Sequence, residues 1–575
     1  MKNKKILIVV EIIIILIFIT CIFVFTKKND VQSISDIDIA INADNGDEKI
    51  DWSIYKEEDI ELTESMTITE EGVYNLTGTI NGSVKVNTTD NVKLILNNVN
   101  ITSNDGPAIY IEKADDVIIY LKDGTSNTLE DSSTYSSTYT DIDGVIFSTS
   151  DLTFDGTGSL MVKANYLDGI VSKDDLKIKS GNYEITSTDD GIRGKDSVYI
   201  LDGTFDITAG GDAIKSTNDT DSDKGFILIG NGTFNINADL DGIDAQTKLL
   251  IKDDIFDIAT GGGSDNASIK DNWGMWGRNP YQTSVSTSGD SAKGIKSGDN
   301  LVTQGGTFNF NTSDDSIHSN NYVGITNGNI NISSGDDGIH ADTKLIIESG
   351  NINITKSYEG IESAEITING GNIDVVATDD GINVAGGMDS SATDRRGANT
   401  YNLSSNNKLT INGGNIHVNA TGDGIDINGS GYVYGGNITV EGPTDSGNGT
   451  LDYDRKLIVN AGTFIGSGSS GMAQSISSSS SQYNIMVYFD TMINNIDTVT
   501  IIDSDSNEVL EYTSSKKYNL LVFSSDKLNK DSTYTIKIND EEYDSFTISD
   551  ITTSVGRSSG MGMTPGSGQR TGGRR

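Results

Sequence analysis

The feature that most constrains the fold of this chain is a short motif, Asp-Gly-Ile or a close variant, which returns about every 22 residues. The first residue of each copy, here called the anchor, is Asp143, Asp168, Asp190, Asp212, Asp241, Lys293, Asp315, Asp337, Glu359, Asp380 or Asp423. The successive spacings are 25, 22, 22, 29, 52, 22, 22, 22, 21 and 43 residues, so the longer ones correspond to one repeat plus an insertion. A fixed period of this length is typical of solenoids, in which each repeat packs on its neighbours.

Each repeat carries three short stretches with the pattern of β-strands. An aliphatic residue stands two positions after every anchor, and two alternating apolar runs follow, such as residues 345–349 and 350–354. No helical periodicity of useful length accompanies them. The pattern therefore predicts an all-β chain, a right-handed parallel β-helix with about 22 residues per coil. Coils would stack about 4.8 Å apart, so that equivalent residues form columns and the isoleucine column fills the interior.

The two ends of the chain differ from the repeats. Lys2, Lys4 and Lys5 precede an apolar run long enough to span a bilayer, so we expect an uncleaved signal-anchor at residues 1–28 and an extracellular remainder. A cleaved signal peptide and lipidation at Cys21 are the alternatives. The predicted organisation continues with a linker and entry segment (29–60), the β-helix (61–474), a β-rich C-terminal module (483–552) and a disordered, Gly-rich basic tail (553–575).

The composition restricts the partners. The chain of 575 residues holds 83 Asp and Glu against 41 Lys and Arg, a formal charge of −42. Such a surface repels nucleic acids and attracts cations. The single Cys excludes an intrachain disulfide framework. We therefore expect no nucleic-acid partner, a role for cations, and a monomer.

Several stretches carry a resemblance to a known family. They are "GPAIYIEKADDVIIYLKDGTSNTL", "NYLDGIVSKDDLKI", "DDGIRGKDSVYI", "GGDAIKSTNDTDSDKGF", "SAKGIKSG" and "GNGTLDYD". Together they resemble the secreted carbohydrate-binding domain-containing proteins over roughly residues 50–552. The resemblance implies a parallel β-helix similar to that of pectate lyases, bound calcium, and affinity for cellulose or acidic pectic sugars without demonstrated catalysis. It identifies no ligand residues, so the candidate sites rest on the sequence of this chain.

The acidic column at the anchors is the first candidate site. Stacked carboxylates disfavour joint ionisation unless a cation offsets them, and calcium takes six to eight oxygen ligands. The alternative is that Asp-Gly is simply a good turn in which Asp caps local amides. The predicted metal ligands are Asp189, Asp190, Asp212, Asp219, Asp221, Asp223, Asp241, Asp244, Asp314, Asp315, Asp336, Asp337, Glu359, Glu362, Asp379, Asp380, Asp423 and Asp426.

The residue three positions after the anchor divides this column. Arg193 and Lys215 occupy that position in early coils and would neutralise the acids there. The coils of Asp241/Asp244, Glu359/Glu362 and Asp423/Asp426 have an acid instead, which makes them the better calcium candidates. Separately, alternate acids at 219, 221 and 223 resemble half of a calcium loop, although the Gly and distant Glu of an EF-hand are absent.

Three further features were considered for binding. Trp273, Trp276 and Tyr281 lie in a long insertion and are predicted to stack on sugar rings, unless they pack back onto the scaffold. His318 and His340 are one period apart; a metal pair is conceivable, but an exposed ladder is the preferred interpretation. Asparagines that follow glycine at matching positions predict a structural ladder. They are Asn351, Asn372, Asn415 and Asn437.

Three functions fit this sequence. The first is a calcium-dependent carbohydrate-binding protein attached to the cell surface by its N-terminus. The second is a polysaccharide lyase on the same fold, which needs a base beside a uronate carboxylate; its candidate basic groups are Arg193, Lys215, Arg278 and Lys293. The third is a passive adhesin or spacer. The fold alone does not choose among them.

Overall fold

The protein is an all-β structure throughout its described part. The computed structural model describes residues 50–267, 291–385 and 407–556. These residues form 49 strands and two three-residue 3₁₀ turns, Trp52–Ile54 and Ser264–Asn266, without an α-helix. No helix among them is long and apolar enough to cross a bilayer. The anchor predicted at residues 1–28 lies outside the described residues.

The strands are short and follow one another closely along the chain. The first half comprises β1 (Glu57–Leu62), β2 (Met66–Ile68), β3 (Gly72–Asn81), β4 (Val84–Asn87), β5 (Val92–Thr102), β6 (Ile109–Lys113), β7 (Asp116–Leu121), β8 (Ser126–Glu130), β9 (Gly144–Ser148), β10 (Asp151–Gly156), β11 (Ser159–Ala164), β12 (Asp168–Ser172), β13 (Asp175–Ile178), β14 (Asn182–Ser187), β15 (Ile192–Gly194), β16 (Ser197–Ile200), β17 (Thr204–Ala209), β18 (Ile214–Ser216), β19 (Phe226–Ile229), β20 (Thr233–Ala238), β21 (Ile243–Ala245), β22 (Leu249–Ile251) and β23 (Ile255–Thr260). The second half comprises β24 (Ile295–Ser297), β25 (Asn300–Thr303), β26 (Thr307–Thr312), β27 (Ile317–Ser319), β28 (Tyr322–Ile325), β29 (Asn329–Ser334), β30 (Ile339–Ile347), β31 (Asn351–Lys356), β32 (Ile361–Ile368), β33 (Asn372–Ala377), β34 (Ile382–Val384), β35 (Lys408–Ile411), β36 (Asn415–Ala420), β37 (Ile425–Ile427), β38 (Ser430–Val433), β39 (Asn437–Glu441), β40 (Leu451–Tyr453), β41 (Lys456–Val459), β42 (Thr463–Gly468), β43 (Asn484–Ile493), β44 (Val499–Asp503), β45 (Glu508–Tyr512), β46 (Tyr518–Ser524), β47 (Thr533–Ile538), β48 (Glu541–Thr547) and β49 (Thr552–Val555).

Strands β1 to β39 each pair in parallel with a strand of the next coil. Ile192 of β15 lies opposite Ile214 of β18, and Asn329 of β29 lies opposite Asn351 of β31, both 22 residues apart. The pairings form three series. The first contains the anchor motif (β12, β15, β18), the second follows it (β13, β16, β19), and the third precedes the next anchor (β14, β17, β20). This large, mostly parallel sheet is consistent with the predicted β-helix; its right-handed sense stays a prediction.

Three details of the predicted organisation are corrected. Strand β1 begins at Glu57 and pairs with β3, so the β-structure starts within the predicted linker. Strand β49 continues to Val555 because it pairs with β43, which places three residues of the predicted tail in the fold. Ile170 lies opposite Ile146 rather than Val145, because the coil that begins at Asp143 is offset by one residue.

The interior is one continuous apolar column. Ile192, Ile214, Ile243 and Ile295 are each completely buried in the same core cluster. Beside them, the rings of Tyr183, Phe205, Phe234, Phe256 and Phe308 stack along the axis, with centroids 4.6 to 5.1 Å apart and interplanar angles of at most 13°. A single coil cannot bury its own apolar face, so this core exists only through stacking.

The parallel stack ends in an antiparallel module. Strand β42 pairs with β46, which pairs in turn with β43. A separate four-stranded sheet has the order β45-β44-β47-β48. Tyr518, Phe523 and Tyr534 belong to the core cluster of this module, which is distinct from that of the stack. The module therefore covers the last coil, whose edge would otherwise be open.

The three series differ in what their outward faces meet. Strands β16, β19 and β25 of the second series are buried at every position. Strands β14, β17 and β20 of the third series alternate strictly between exposed and buried residues. The third series thus presents an open face to solvent, whereas the acidic anchors stand at the turn between the third and first series.

Candidate functional site

One oxygen of most acidic anchors accepts a hydrogen bond from the next coil. Asp168 Oδ1 accepts a hydrogen bond from the main-chain N–H of Asp190 at 3.1 Å, and Asp190 Oδ1 accepts from Asp212 N–H at 3.0 Å. The same contact recurs at Asp212, Asp241, Asp315, Asp337, Asp380 and Asp423. The anchor carboxylate therefore caps a backbone amide of the following coil. The turn interpretation had expected it to cap an amide of its own turn. This contact makes the acidic column part of the scaffold.

The other oxygen of the anchor faces the residue three positions later. Lys215 Nζ lies 2.5 Å from Asp212 Oδ2, and His318 Nδ1 lies 2.8 Å from Asp315 Oδ2. The Arg193 guanidinium contacts Asp143 at 2.6 Å and also Asp168 and Asp190. Anchor and third residue thus point the same way, a relation that the sequence left open. In these coils a cation compensates the anchor.

The expectation that the Asp241/Asp244 coil lacks a cation is wrong. Lys296, from the following coil, places Nζ 3.0 Å from Asp241 Oδ2 and 3.5 Å from Asp244 Oδ1. The sequence interpretation considered only the residue three positions after each anchor in the same coil, which for Asp241 is Asp244. The cation reaches back across one step of the stack.

Lys293 is a cation at an anchor position. Its Nζ lies 2.9 Å from Asp314 Oδ1 and 2.8 Å from Asp315 Oδ2, and its side chain is 4% exposed. Burial opposes the charge of Asp315, but Lys293 and His318 hold the pKa of this carboxyl well below its usual range. Two of the predicted calcium ligands are therefore already neutralised by protein groups.

The two histidines are buried, so the prediction of an exposed ladder is wrong. Their rings stack with centroids 4.9 Å apart, and His318 and His340 are 3% and 1% exposed. His340 Nδ1 lies 2.9 Å from Glu362 Oε2 and 3.2 Å from Asp337 Oδ2, and its Nε2 lies 3.0 Å from Asp342. Burial disfavours the imidazolium, yet the bonds to these carboxylates raise the pKa of His340 well above its usual value. His340 thus takes the place of Lys or Arg.

The compensation ends beyond Glu362, which His340 contacts. We call Glu359, Asp380, Asn383, Asp423 and Asp426 the uncompensated segment. Asn383 occupies the third position and lies opposite Glu362 and Asp426 in the neighbouring coils. Within the described ranges, Asp380, Asp423 and Asp426 form no ion pair. Burial, together with the neighbouring acids, raises the pKa of Asp380 to about 8 and that of Asp426 to about 7.

Asn383 leaves one oxygen of this segment without a partner. Its Nδ2 donates to Glu359 Oε2 at 2.6 Å and to Glu362 Oε1 at 3.4 Å. Its Oδ1 is buried and accepts no hydrogen bond, and the residue as a whole is only 6% exposed. An unpaired buried carbonyl is costly. An amide oxygen among carboxylates is the kind of donor set that Ca²⁺ takes.

The remaining predicted ligands fall into three groups. Asp189 lies with Asp168 and Asp190, and Asp336 lies with Asp314 and Asp315, in sets whose oxygens are within 4.8 Å of one another. Asp379 adjoins Asp380 and raises its pKa further. The residues at 219, 221 and 223 lie on an exposed loop, where Asp221 Oδ1 accepts from the N–H of Asp223 at 3.0 Å.

The predicted aromatic platform, Trp273, Trp276 and Tyr281, lies outside the described residues, as does Arg278. The chain leading into this insertion rests on the open face of the third series. Ser264 N–H donates to Asn311 Oδ1 at 2.9 Å, and Lys356 Nζ donates to Ser264 O at 2.7 Å. The insertion therefore starts at the edge of that face.

Two grooves were not predicted. One, of about 1070 Å³, follows the glycine-rich turns between the second and third series, including Gly203, Gly232 and Gly306. The other, of about 460 Å³, lies on the third series and is lined by Asn351, Asn372, Asn415 and Asn437, among others. The asparagines were predicted as a structural ladder, and that ladder is confirmed by side-chain hydrogen bonds between successive coils. Their regular recurrence after glycine was the signal for the second groove.

Comparisons with known proteins identify the family of this chain. The family model for "Carbohydrate-binding domain-containing protein" matches residues 63–338. A protein of that name from Acetivibrio thermocellus is 35% identical over 230 residues, which are 39% of this chain and 76% of the relative. The chain belongs to this carbohydrate-binding family. A solved structure, that of the polysaccharide lyase-like protein from C. thermocellum as a gadolinium derivative, is 32% identical and covers 36% of this chain and 91% of its own, with a TM-score of 0.35.

The residues that match the family model cover only the first part of the acidic column. Residues 63–338 include the compensated anchors from Asp143 to Asp337. They end before Glu359, so the uncompensated segment and most of the asparagine ladder lie beyond the matched residues. These two features must be interpreted from this chain itself.

Proposed function

We propose that this protein is an extracellular, membrane-anchored protein that binds polysaccharide in a calcium-dependent manner. Its ligand is cellulose or an acidic polysaccharide of plant or cell walls. The observation that carries the calcium dependence is the uncompensated segment, where Asn383 Oδ1 is buried without a partner among carboxylates. Membership of the carbohydrate-binding family supports the sugar ligand.

Calcium fits this segment for electrostatic reasons. From Asp143 to Asp337 a cationic side chain of the same coil or of a neighbouring coil contacts the acidic anchors, whereas Asn383 and Asp426 bring no positive charge. Calcium would supply the missing charge, with Asp380, Asp423 and Asp426 as carboxylate ligands and Asn383 Oδ1 as a neutral one. A cation held there can also bridge to the carboxylates of an acidic sugar, which the charge of −42 would otherwise repel.

The location follows from residues 1–28. Their apolar run, preceded by lysines, would hold the protein at the membrane and leave the carbohydrate-binding part outside the cell. A surface position brings the binding site to wall polysaccharide. Detection of the full-length protein in the membrane fraction, with the β-helix accessible to protease on intact cells, would support this arrangement.

The lyase alternative requires a basic group that can accept a proton. Arg193, Lys215 and Lys293 are each held by carboxylates of the acidic column. Burial opposes the charge of Lys215, but Asp212 and Asp190 raise its pKa above the ordinary value, which keeps it protonated at neutral pH and so unable to accept a proton. These contacts favour binding over lyase chemistry. A passive spacer would bind no sugar at all.

The proposal is tested on the full-length protein with insoluble cellulose and with polygalacturonate, each in calcium and in chelator. We expect binding in calcium, weaker binding in chelator, and calcium in the purified protein by metal analysis. Asp380→Asn with Asp426→Asn should lower the calcium content. Asp505→Asn, at an exposed turn of the C-terminal module, is the control. Binding that ignores chelation would refute calcium dependence, absence of sugar binding would favour the spacer, and unsaturated products absorbing in the ultraviolet would establish a lyase.

A further inference from the structure

Two columns of asparagine side chains cover part of the open face of the third series. We call them the amide face. The outer column contains Asn329, Asn351, Asn372, Asn415 and Asn437, and the inner column contains Asn309, Asn331 and Asn353. All eight residues are exposed. Because the face follows the stack, its side chains recur at the strand spacing of about 4.8 Å.

The amides of the outer column are held in one orientation. Asn351 Nδ2 donates to Asn329 Oδ1 at 2.9 Å, Asn372 donates to Asn351 at 2.9 Å, and Asn415 donates to Asn372 at 2.8 Å. Asn437 continues the series with 2.9 Å to Asn415. A side chain fixed in this way loses little rotamer entropy when it binds a ligand.

The ladder uses only part of the hydrogen-bonding capacity of each amide. An asparagine has two N–H donors and a carbonyl oxygen with two lone pairs. In the ladder Asn351 and Asn372 each donate once and accept once. Each therefore presents a further donor and a further acceptor to solvent, in a row along the face.

The amide face is nearly uncharged on a protein of charge −42. The charged side chains that line its groove, Asp374 and His417, are paired at 3.1 Å. The same columns in earlier coils hold Glu184, Asp206 and Asp257 instead. A surface without net positive charge does not attract a polyanion. A surface without a large apolar patch does not favour the apolar surface of another protein. Paired donors and acceptors match the hydroxyl groups of a neutral sugar.

The shape of the groove agrees with a chain-like ligand. It runs across the third-series strands β31, β33, β36 and β39, and so along the stack. Its repeat of about 4.8 Å is close to the length of one sugar residue in an extended glycan. Successive sugars would therefore meet successive amides in the same register.

We propose that the amide face is the contact site for an uncharged, extended polysaccharide that lies parallel to the stack, with sugar hydroxyls bonded to the outward N–H and C=O groups of Asn351, Asn372 and Asn415. The inference rests on the proposed function only in that the ligand is a carbohydrate. The two sites differ in location. The amide face lies on strands of the third series, whereas the uncompensated segment lies at the turn that follows them.

The test replaces Asn351 and Asn372 together by threonine in the full-length protein. Threonine stands at the same column position in Thr204, Thr233 and Thr307, so the fold accepts it. Asn81→Thr, at an exposed strand position in the opening coils, is the control. Two lost amide contacts of about 1 kcal/mol each predict a loss of about tenfold or more in affinity for microcrystalline cellulose. Affinity for polygalacturonate in saturating calcium should not change.

A second variant, Asn351→Asp with Asn372→Asp, removes the donors and adds charge while conserving shape, and should weaken cellulose binding further. Circular dichroism of both variants must match the wild type. The inference is overturned if both folded variants bind cellulose as tightly as the wild type. It is also overturned if they lose affinity for polygalacturonate and retain their affinity for cellulose. If the variants bind as the wild type does and chelation abolishes binding, the proposed function stands and the amide face is the wrong site. If the wild type binds neither polysaccharide, both proposals fail.

Discussion

The acidic column contains two parts that share the same repeat but differ in whether a cationic side chain contacts the anchors. From Asp143 to Asp337, a cation stands within reach of the anchors: Arg193, Lys215, Lys296, Lys293 or a histidine. In the uncompensated segment the third position holds Asn383 or Asp426, and the pKa of Asp380 rises to about 8. The anchors of both parts bond to the next coil in the same way. One residue per coil therefore decides whether an acid is only scaffold or is also open to a metal.

The largest effect is expected from removing a cation in the compensated part. Lys293→Met leaves Asp314 and Asp315 without their ammonium group, in a site where Asp315 is completely buried. Breaking a buried ion pair from one side costs about 3–5 kcal/mol. The melting temperature by circular dichroism should fall sharply. Lys56→Met, which removes an exposed pair with Glu58, is the control and should leave it unchanged. Equal behaviour of the two variants would contradict the structural role of compensation.

The converse change should convert the uncompensated segment into the compensated kind. Asn383→Lys places an ammonium group where Lys215 and Lys296 stand in other coils, beside Glu362 and Asp426. For the wild type, calcium at 100 times its Kd would add about 2.7 kcal/mol of stability. In the variant we expect a higher melting temperature in chelator and loss of the calcium increment. Asn81→Lys provides the control. A full calcium response in the Asn383 variant would show that the metal binds elsewhere.

Asp380 and Asp426 should respond to pH in the opposite direction to Asp315 when calcium is chelated. Burial raises the folded-state pKa of Asp380 to about 8 and of Asp426 to about 7, against about 4 for an unfolded Asp. The folded state keeps protons that the unfolded state releases, so this stability is full below about pH 4 and is lost as the pH rises through about 8. The pKa of Asp315 is lowered, so its contribution is present above about pH 4 and is lost as the pH falls further.

Urea midpoints measured from about pH 5 to about pH 9 would test this difference. In chelator the midpoint should decline as the pH rises, and calcium should suppress the decline because it replaces the protons. A flat profile without calcium would mean that the acids of the uncompensated segment are neutralised in another way. The Asn383→Lys variant should show a shallower decline than the wild type.

A smaller effect is expected when the cation is kept and only its geometry changes. Arg193→Lys preserves the charge, but one ammonium group cannot contact Asp143, Asp168 and Asp190 as the guanidinium does. We expect a loss of about 1–2 kcal/mol, seen as a modest decrease in melting temperature. Lys163→Arg, on an exposed strand position, controls for the exchange itself. A loss as large as that of Lys293→Met would mean that geometry rather than charge governs the column.

Much of the candidate site was accessible from the repeat, and the exceptions share one cause. The repeat placed the anchors in one column, the isoleucines inside and the asparagines in a ladder. It misjudged Asp244, because Lys296 reaches it from a coil that begins after a long insertion. It also expected His318 and His340 to be exposed, whereas both are buried, with Asp315 bonded to His318 and Glu362 bonded to His340. A period gives the position of a residue within its coil but not the direction of its side chain.

The sequence by itself determined the all-β class, the stack of parallel strands and the columns, because the alternation and the period of the apolar residues allow only stacking to bury them. The tertiary structure alone decided which carboxylates receive a cation from another coil. Such contacts join Lys293 with Asp314, 21 positions apart, and Lys296 with Asp241, 55 positions apart, so they depend on the register across insertions and on side-chain direction. The unpaired Oδ1 of Asn383 belongs to the same class of fact, since it follows from where the neighbouring coils place Glu359 and Glu362.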